Sequence, residues 1–534
     1  MAIPLGHVGR RLRHAVDPGV TVTPPPVGAR FERDVEVPVR DGTILRANVF
    51  RPDDDQPVPV IVCAHPYGKD HLPKPRRDGH GWHVPAQFRL LPQSEPFSIS
   101  AWTSWEAPDP GFWVPRGYAI VNCDLRGWGR SDGVGELLSE QEAHDVHDVI
   151  EWAAVQPWST GKVGMSGVSY LALTQWAAAS LRPPHLAAIS PWEGFTDAYA
   201  DFARPGGVRE DGFTILWTEM LRLQRRSPVS LRRELKARPL VDDWWQARNR
   251  DIERIDVPAL VCGSFSDHNL HSRGSFEGFR RIGSARKWLY THRGPKWATY
   301  YSDEAGAFQA RFFDHFLKGT DNGMADVPPV RLEVRDSAST ITSVREEQAW
   351  PPTNARWRDL ELVADAPPGV PSVHAFDTRT GRATFSWELE RDTEIVGSIR
   401  VRLHVEVRGG DDVFLFVGVR KLRGEREIGF EGSYGFDDDL VTHGMRKASQ
   451  RDGDTVREPL HPGDIVPVEI ELRPTATMFR AGDELRLDVQ GHWFFARNPL
   501  FGQFPAGYER SPQATCVLHC GGPYDATLSV PVVV

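Results

Sequence analysis

Two serines, Ser166 and Ser169, stand in the stretch Lys162-Val-Gly-Met-Ser-Gly-Val-Ser-Tyr-Leu-Ala-Leu-Thr-Gln-Trp-Ala-Ala-Ala-Ser180. It opens as a strand, bends through Gly167 and continues as a helix former rich in Leu, Ala and Gln. That is the outline of a nucleophile elbow, a sharp strand-to-helix turn that lifts a serine hydroxyl above a sheet edge. The helix start behind it offers free N–H groups and partial positive charge where an oxyanion would develop. Neither serine completes Gly-x-Ser-x-Gly. Taking Ser166 leaves only about three residues of strand, short against the usual ~5–6. Ser169 leaves a full strand and starts the helix directly after it, so Ser169 is the expected nucleophile, with Ser166 packed beneath the turn.

A serine hydroxyl attacks well only when a base takes its proton, and the base needs an orienting carboxylate. On a strand–helix alternation the three follow in the chain order Ser, acid, His. Val257 to Cys262 reads as a strand running into Gly263-Ser-Phe-Ser-Asp-His-Asn-Leu270, which puts Asp267 past a strand end as the acid. The next strand, around Trp288 to Tyr290, runs into Thr291-His-Arg-Gly-Pro-Lys-Trp297, which makes His292 the expected base. His268 and His271 share the Asp267 loop and His315 lies on a later helix; their positions match no strand end, and they rank below His292. An acyl-transfer site also needs an oxyanion hole. The backbone N–H of Tyr170 follows the nucleophile. Tyr67, in the loop His65-Pro-Tyr-Gly68 after an earlier strand, brings a phenol that donates at neutral pH.

The elements that must position these residues are legible in outline. Val35, Val37 and Val39 alternate with polar or small residues, Asp41-Gly42 signals a hairpin, and Ile44 to Phe50 returns. Val58 to Ala64 and Gly117 to Cys123 are continuous apolar runs of the kind buried on both sheet faces. Val146, Val149, Ile150 and Ala153 share one helical face, and Pro157 stops that helix. Leu186 to Ser190, Val257 to Cys262 and Arg286 to Tyr290 complete a mostly parallel sheet covered by helices, whose ligands bind at the strands' carboxyl ends. Residues 195–255 interrupt the alternation with Arg-, Trp- and Leu-rich helical stretches (Trp217 to Arg226, Leu231 to Arg250) and read as a helical cap. From about residue 330 strict period two takes over, as in Ile399, Val401, Leu403, Val405 and Val407, which implies an antiparallel β-sandwich, a jelly roll, to residue 534. The expected plan is therefore an arm over 1–30, an α/β-hydrolase domain over 31–194 and 256–325 with the cap at 195–255, and a jelly-roll β-sandwich over 330–534.

Bulk properties narrow the function. At 534 residues the chain exceeds one ordinary core. A net charge of −9 gives no reason to expect nucleic acid. No stretch approaches the ~20 apolar residues of a membrane span, and the N-terminus has no apolar segment of signal-peptide type. Five cysteines, of which Cys63, Cys123 and Cys262 sit in strand patterns and Cys516 and Cys520 lack zinc-type partners, fit a reducing cytoplasm. His65, His71, His80 and His83 match no metal spacing, so neither a metal nor a cofactor is expected. The partner is a small-molecule ester or amide, with homo-oligomerisation left open.

His-Pro-Tyr-Gly-Lys (65–69), Asp-Leu-Arg-Gly-Trp-Gly-Arg-Ser-Asp-Gly (124–133), the stretch 149–172 and Pro-Thr-Ala-Thr-Met-Phe-Arg-Ala-Gly-Asp-Glu-Leu-Arg-Leu (474–487) resemble the cocaine esterase / X-prolyl dipeptidyl-peptidase / α-amino-acid ester hydrolase family from about residue 31 onward. The resemblance implies an α/β-hydrolase domain with a helical cap and a C-terminal jelly roll. By motif it carries the nucleophile onto Ser169, the acid onto Asp267, the base onto His292 and the oxyanion donors onto Tyr67 and the Tyr170 N–H. The His292 loop departs from the family's Gly-Pro-Trp-x-His. Ester and amide cleavage share this machinery. An aminoacyl or X-Pro substrate needs carboxylates for its ammonium, for which Glu193, Asp197, Glu210 and Asp211 are candidates, while Trp105 and Trp192, with Glu193, are the candidates to contact substrate. A silent scaffold binding through its sandwich is the non-enzymatic alternative, and the intact Ser, Asp, His and Tyr speak against it.

Overall fold

Among the described residues, the sheet that carries the site includes β1 (Ala29–Pro38), β2 (Ile44–Pro52), β3 (Val58–His65), β4 (Ala119–Asp124), β5 (Ser159–Val168), β6 (Leu186–Trp192), β7 (Ala259–Ser264), β8 (Lys287–His292) and β9 (Val330–Ser337). They lie in the order β1-β2-β4-β3-β5-β6-β7-β8-β9. β1–β2 and β2–β4 are antiparallel, and every later pair is parallel. In this computed structural model the described residues are 9–534 other than 10, 11, 15, 55, 91, 92, 223–230, 364–366, 368, 434–437 and 499–502. The expected arm over 1–30 and the end of the Trp217 to Arg226 stretch fall partly outside them. Within the first thirty residues Val20–Thr23 pairs in parallel with Phe97–Ser100.

The apolar runs become the central strands. Val60, Ile61, Val62 and Ile120, Val121 are fully buried, as expected of strands covered on both faces. Helix α1 (Glu140–Ala154) starts at Ser139, whose hydroxyl accepts the Glu142 N–H at 3.1 Å. Helix α2 (Tyr170–Ser180) follows β5 directly and is buried at every position. Its Leu, Ala and Trp residues cover it all round, so it is a central helix and not an amphipathic surface one.

Between β6 and β7 the chain leaves the sheet. It makes a turn at Ala198–Ala203, helix α3 (Phe213–Arg222), helix α4 (Leu231–Ala237) and a short turn at Asp243–Gln246. Asp197 caps the first turn by accepting the Tyr199 and Ala200 N–H groups at 2.9 Å. Glu210 caps α3 by accepting from Gly212, Phe213 and Thr214 at 2.8, 2.9 and 2.7 Å. The same carboxylate takes the Gly507 N–H at 3.1 Å, which ties the cap to the C-terminal part of the chain.

After helix α5 (Ser272–Arg281) and helix α6 (Asp303–Lys318), which ends at Gly319 with φ +71°, the chain turns to antiparallel strands. One sheet runs Arg382–Glu388, Asp483–Gln490, Phe414–Arg423, Thr442–Lys447. The facing one contains Ser372–Asp377, Thr515–Cys520, Arg400–Arg408 and Val466–Glu471. Val401, Leu403, Val405, Val417, Leu485 and Leu487 close the core between them. The fold is an α/β-hydrolase with a helical cap followed by a jelly roll. The two halves are joined by hydrogen bonds, since β9 pairs at Arg335 with Thr477 of the jelly roll. They are also joined by Arg293, which is fully buried and donates to the Leu440 and Val441 carbonyls at 2.5 and 2.9 Å.

Replacing Glu210 by Ala removes three cap bonds and the link to Gly507. The expected cost is about 1–2 kcal/mol, read as a lower midpoint of thermal unfolding together with faster proteolytic cutting within residues 195–255. Unchanged cutting would refute its role as the tie between cap and jelly roll.

Candidate active site

The elbow forms because the chain cannot pass from β5 to α2 without a left-handed residue. Ser169 takes it, at φ +58° and ψ −116°, a conformation that costs a non-glycine residue of order 1–3 kcal/mol. Its N–H donates to the Trp192 carbonyl at 3.0 Å, and its own carbonyl accepts from Ala172 and Leu173 at 2.9 and 3.1 Å. Gly167 sits at φ +141°, where an added Cβ would lie 2.5 Å from the Leu171 Cβ; the close approach of β5 to α2 requires glycine there. Ser166 points the other way, fully buried, and its hydroxyl donates to Gln309 Oε1 at 3.1 Å.

Above the turn, Ser169 Oγ lies 3.2 Å from Nε2 of His271, and His271 Nδ1 lies 2.5 Å from Asp267 Oδ2. The base expected at His292 is not there. His292 Nε2 lies 3.0 Å from Glu193 Oε1, and its ring is stacked at 6.0 Å on Trp192. The physical reason is a tight turn after β7. The N–H groups of Leu270, His271 and Ser272 all converge on the Asp267 carbonyl at 3.2, 3.1 and 3.1 Å. Four residues of helical turn bring side chains i and i+4 onto one face, so His271 hangs over the Asp267 carboxylate at the start of α5. The chain order Ser, Asp, His survives, but acid and base share one loop.

Lys296, from the loop after β8, completes the group. Its Nζ lies 2.5 Å from Asp267 Oδ2, 3.3 Å from His271 Nδ1 and 3.4 Å from Glu193 Oε2. Burial opposes the charge of Asp267, but Lys296 and His271 outweigh it and hold the carboxyl below the usual range. Burial, then Lys296, push His271 below the ordinary histidine value, against the pull of Asp267. The shift favours the neutral imidazole, the form that can accept a proton.

The jelly roll holds this loop from the far side. The Ser433 hydroxyl accepts the Asn269 N–H at 3.1 Å, Asn269 Nδ2 donates to Gln503 at 3.0 Å, and Tyr508 donates to Asn269 Oδ1 at 3.2 Å. His268 Nε2 bonds the Pro474 carbonyl at 3.1 Å.

Tyr67 faces the serine from the loop after β3. The Gln87 side chain donates to the Tyr67 carbonyl at 3.3 Å, and the His65 ring accepts the Tyr67 N–H at 3.2 Å. Its phenol accepts a bond from the indole N–H of Trp217 at 3.2 Å, so its own proton is left to donate. Burial above all raises its pKa well above the usual phenol value, any negative charge on Glu106 would raise it further, and the phenol stays protonated. Trp217, in α3 of the cap, was invisible to sequence reasoning: an amphipathic cap helix says where its apolar face lies but not which atom that face delivers.

Tyr67, Ser169, His271, Lys296, Trp105 and Glu106 share one cavity of about 140 Å³, whose other walls are mainly the apolar side chains of Phe213, Leu216, Met220 and Leu270. Trp192 and Glu193, expected to contact substrate, are not among its lining: Trp192 is packed against Tyr290, Tyr300 and His292, and Glu193 is turned onto His292 and Lys296. Asp197 and Glu210 are spent as helix caps, and Asp211 pairs with Arg209 at 2.6 Å. Glu193, Cys262 and His292 are the group with the spacing of a metal site among the described residues. The Lys296 ammonium beside Glu193 already supplies the positive charge that a cation would bring. A larger hollow of about 310 Å³, walled by Asp109, Arg116 and Tyr301, has none of the relay residues on its walls.

Comparison with known proteins places this geometry. Residues 41–233 match the model for X-Pro dipeptidyl-peptidase (S15 family), and residues 322–529 match the X-Pro dipeptidyl-peptidase C-terminal non-catalytic domain. Cocaine esterase from Rhodococcus sp. (strain MB1 Bresler) is 27% identical over 411 residues, 66% of this chain and 64% of that protein. An Xaa-Pro dipeptidyl-peptidase from Ligilactobacillus salivarius is 25% identical over 357 residues, 54% of this chain and 44% of its own length. The chain thus spans less than two thirds of either of these curated relatives. A crystal structure of a CocE/NonD family hydrolase from Staphylococcus aureus is 36% identical with a TM-score of 0.88, covering 94% of this chain and 93% of that one. An α-amino acid ester hydrolase at 16% identity and TM-score 0.70 shares the fold. The chain belongs to the CocE/NonD family of hydrolases.

Proposed function

We propose that the protein is a serine hydrolase cleaving esters of small, uncharged acyl groups through an acyl-enzyme. The observation that carries this is the continuous chain Ser169 Oγ, His271, Asp267 at 3.2 and 2.5 Å. In the forward step Ser169 Oγ attacks the carbonyl carbon while His271 Nε2 takes its proton. The imidazolium is stabilised by Asp267, and the carbonyl oxygen gains charge between the Tyr67 hydroxyl and the Tyr170 N–H. Collapse expels the alcohol, which takes the proton from His271. Water then repeats the sequence on the acyl group and frees Ser169.

A small, uncharged acyl group is favoured by the walls. A 140 Å³ volume is comparable with the ~150 Å³ cavity that holds a benzene ring. The four acids expected to meet a substrate ammonium are committed elsewhere, Glu193 to His292 and Lys296, Asp197 and Glu210 to helix starts and Asp211 to Arg209, which leaves Glu106 as the acid on the cavity wall besides Asp267. This speaks for esterase over aminoacyl or X-Pro peptidase activity. Five buried, unpaired cysteines support placing the enzyme in a reducing compartment, the cytoplasm. Among the described residues no helix is long and apolar enough to cross a membrane.

A phosphonate probe with peptide mapping should label Ser169 stoichiometrically and lose the label in Ser169→Ala; label on Ser166 would sink the assignment. His271→Gln should lower kcat by roughly 10⁴-fold or more, whereas His292→Gln, outside the relay, should leave kcat within about tenfold of wild type. The reverse order would restore His292 as base. Tyr67→Phe should cost ~10²–10³ in acylation, with little change in KM. Lys296→Met removes the cation that disfavours the His271 imidazolium, so the acid limb of kcat/KM should move to higher pH. A limb that stays in place would show that Lys296 does not set the base.

A further inference from the structure

Glu106 is a buried acid that the mechanism above leaves unused, although it stands against the nucleophile. Its backbone is fixed at φ +66°, and its carbonyl accepts the N–H of Val168, the residue before Ser169, at 3.0 Å. The side chain lines the same cavity as Tyr67, Ser169 and His271. The residue is only 4% exposed, and Oε2 is buried without a hydrogen-bond partner. A bare carboxylate oxygen in that position would cost several kcal/mol of desolvation, and it would lie beside the place where an oxyanion must form. A carboxylic acid there is instead a neutral donor. Ketosteroid isomerase uses a protonated aspartic acid in this way.

We propose that Glu106, held as the neutral acid, is a third donor of the oxyanion hole alongside the Tyr67 hydroxyl and the Tyr170 N–H. The inference rests on the serine-hydrolase reading and adds a catalytic residue to it. The Glu106 proton stays on Glu106 throughout: its O–H shortens onto the oxygen as charge develops and relaxes when the carbonyl reforms. The groups that face the carboxyl set its state. Burial pushes it up to about 8, while Lys296, the Trp105 indole, the Tyr170 N–H and the Ser169 hydroxyl pull the other way and fall short. Tyr67 and Tyr301, whose own proton loss its charge would disfavour, remain neutral. Below pH 8 the acid donates. Above it, the carboxylate repels the oxyanion, so the rate should fall as pH rises through about 8.

The test is the pH profile of kcat and KM on an uncharged short-chain p-nitrophenyl ester for wild type, Glu106→Gln and Glu106→Ala, with Ser169 phosphonate labelling alongside. Wild type should lose activity above about pH 8. Glu106→Gln keeps an N–H donor that does not titrate, so it should stay within about tenfold of wild type at pH 7 and lose the alkaline limb. Glu106→Ala should lower kcat by about 10²-fold with KM little changed. An infrared difference spectrum between wild type and Glu106→Gln should show a protonated carboxyl at pH 7. An alkaline limb that persists in Glu106→Gln overturns the proposal, as does an ionised carboxylate at pH 7. So does a Glu106→Ala defect that appears only as a higher KM for aminoacyl esters, which would make Glu106 a cation anchor. A wild type that neither hydrolyses the ester nor takes the label at Ser169 overturns the hydrolase reading together with the inference. Normal labelling and turnover with an unchanged Glu106→Ala overturn the inference alone.

Discussion

The rest of the site depends on one buried carboxylate shared by an ammonium and an imidazole. Asp267 is 1% exposed, and an isolated charge there would be opposed by several kcal/mol of lost hydration. Lys296 and His271 approach it from two elements, the loop after β8 and the start of α5, and together they make its ionised form the stable one. The Asp267 main chain is equally committed, since its carbonyl gathers three successive N–H groups and thereby starts the helix that presents His271. Moving Asp267 would therefore disturb the acid, the base and the helix end at once. The jelly roll's contacts to Asn269 and His268 fall within two residues of Asp267 for that reason.

The cavity is electrostatically two-sided. On one wall the Lys296 ammonium is held between the Asp267 and Glu193 carboxylates, so the charges there are paired and fixed in place. On the other, Tyr67 and Glu106 are held neutral by burial. In the proposed reaction the oxyanion would develop near the neutral side, where donors can meet it without an opposing charge. The Trp217–Tyr67 bond makes the cap part of this wall, so the helices over the site fix a proton's direction as well as covering it.

Much of this was legible beforehand because it obeys local rules. The Gly167 turn, the apolar strands, the place of Asp267 past β7 and the Tyr67 loop follow from patterns of a few residues. The base was misplaced because a fold-level rule puts it after the last parallel strand, and His292 stands there. A local signal, Asp-x-x-x-His from Asp267 to His271, was also in the chain, and its i,i+4 spacing needed only a helix start at Ser272 to decide the matter. Their place at the end of the strand after the elbow points to Trp192 and Glu193 as lining. Trp192 instead ends β6 with its ring in the core, and Glu193, at φ +48°, turns its side chain away from the cavity. Trp217 and Glu106 are tertiary facts: no local pattern picks out either one, although Trp105, next to Glu106, is a candidate to contact substrate and does line the cavity.

The acid–base turn also bears on how the site comes into being. An acid and a base carried by two separate strands meet only when those strands have docked, a contact of long sequence separation that must bear loop-closure entropy. Here the pair is separated by four residues and can assemble as soon as one helical turn forms, on the timescale of a helix and not of a sheet. Only Ser169, about a hundred residues earlier, has to be delivered by the slower closure of β5 against β6 and β7. The acid–base pair is thus a local contact, and the long-range contact that completes the chain is Ser169 to His271, 102 residues apart in sequence.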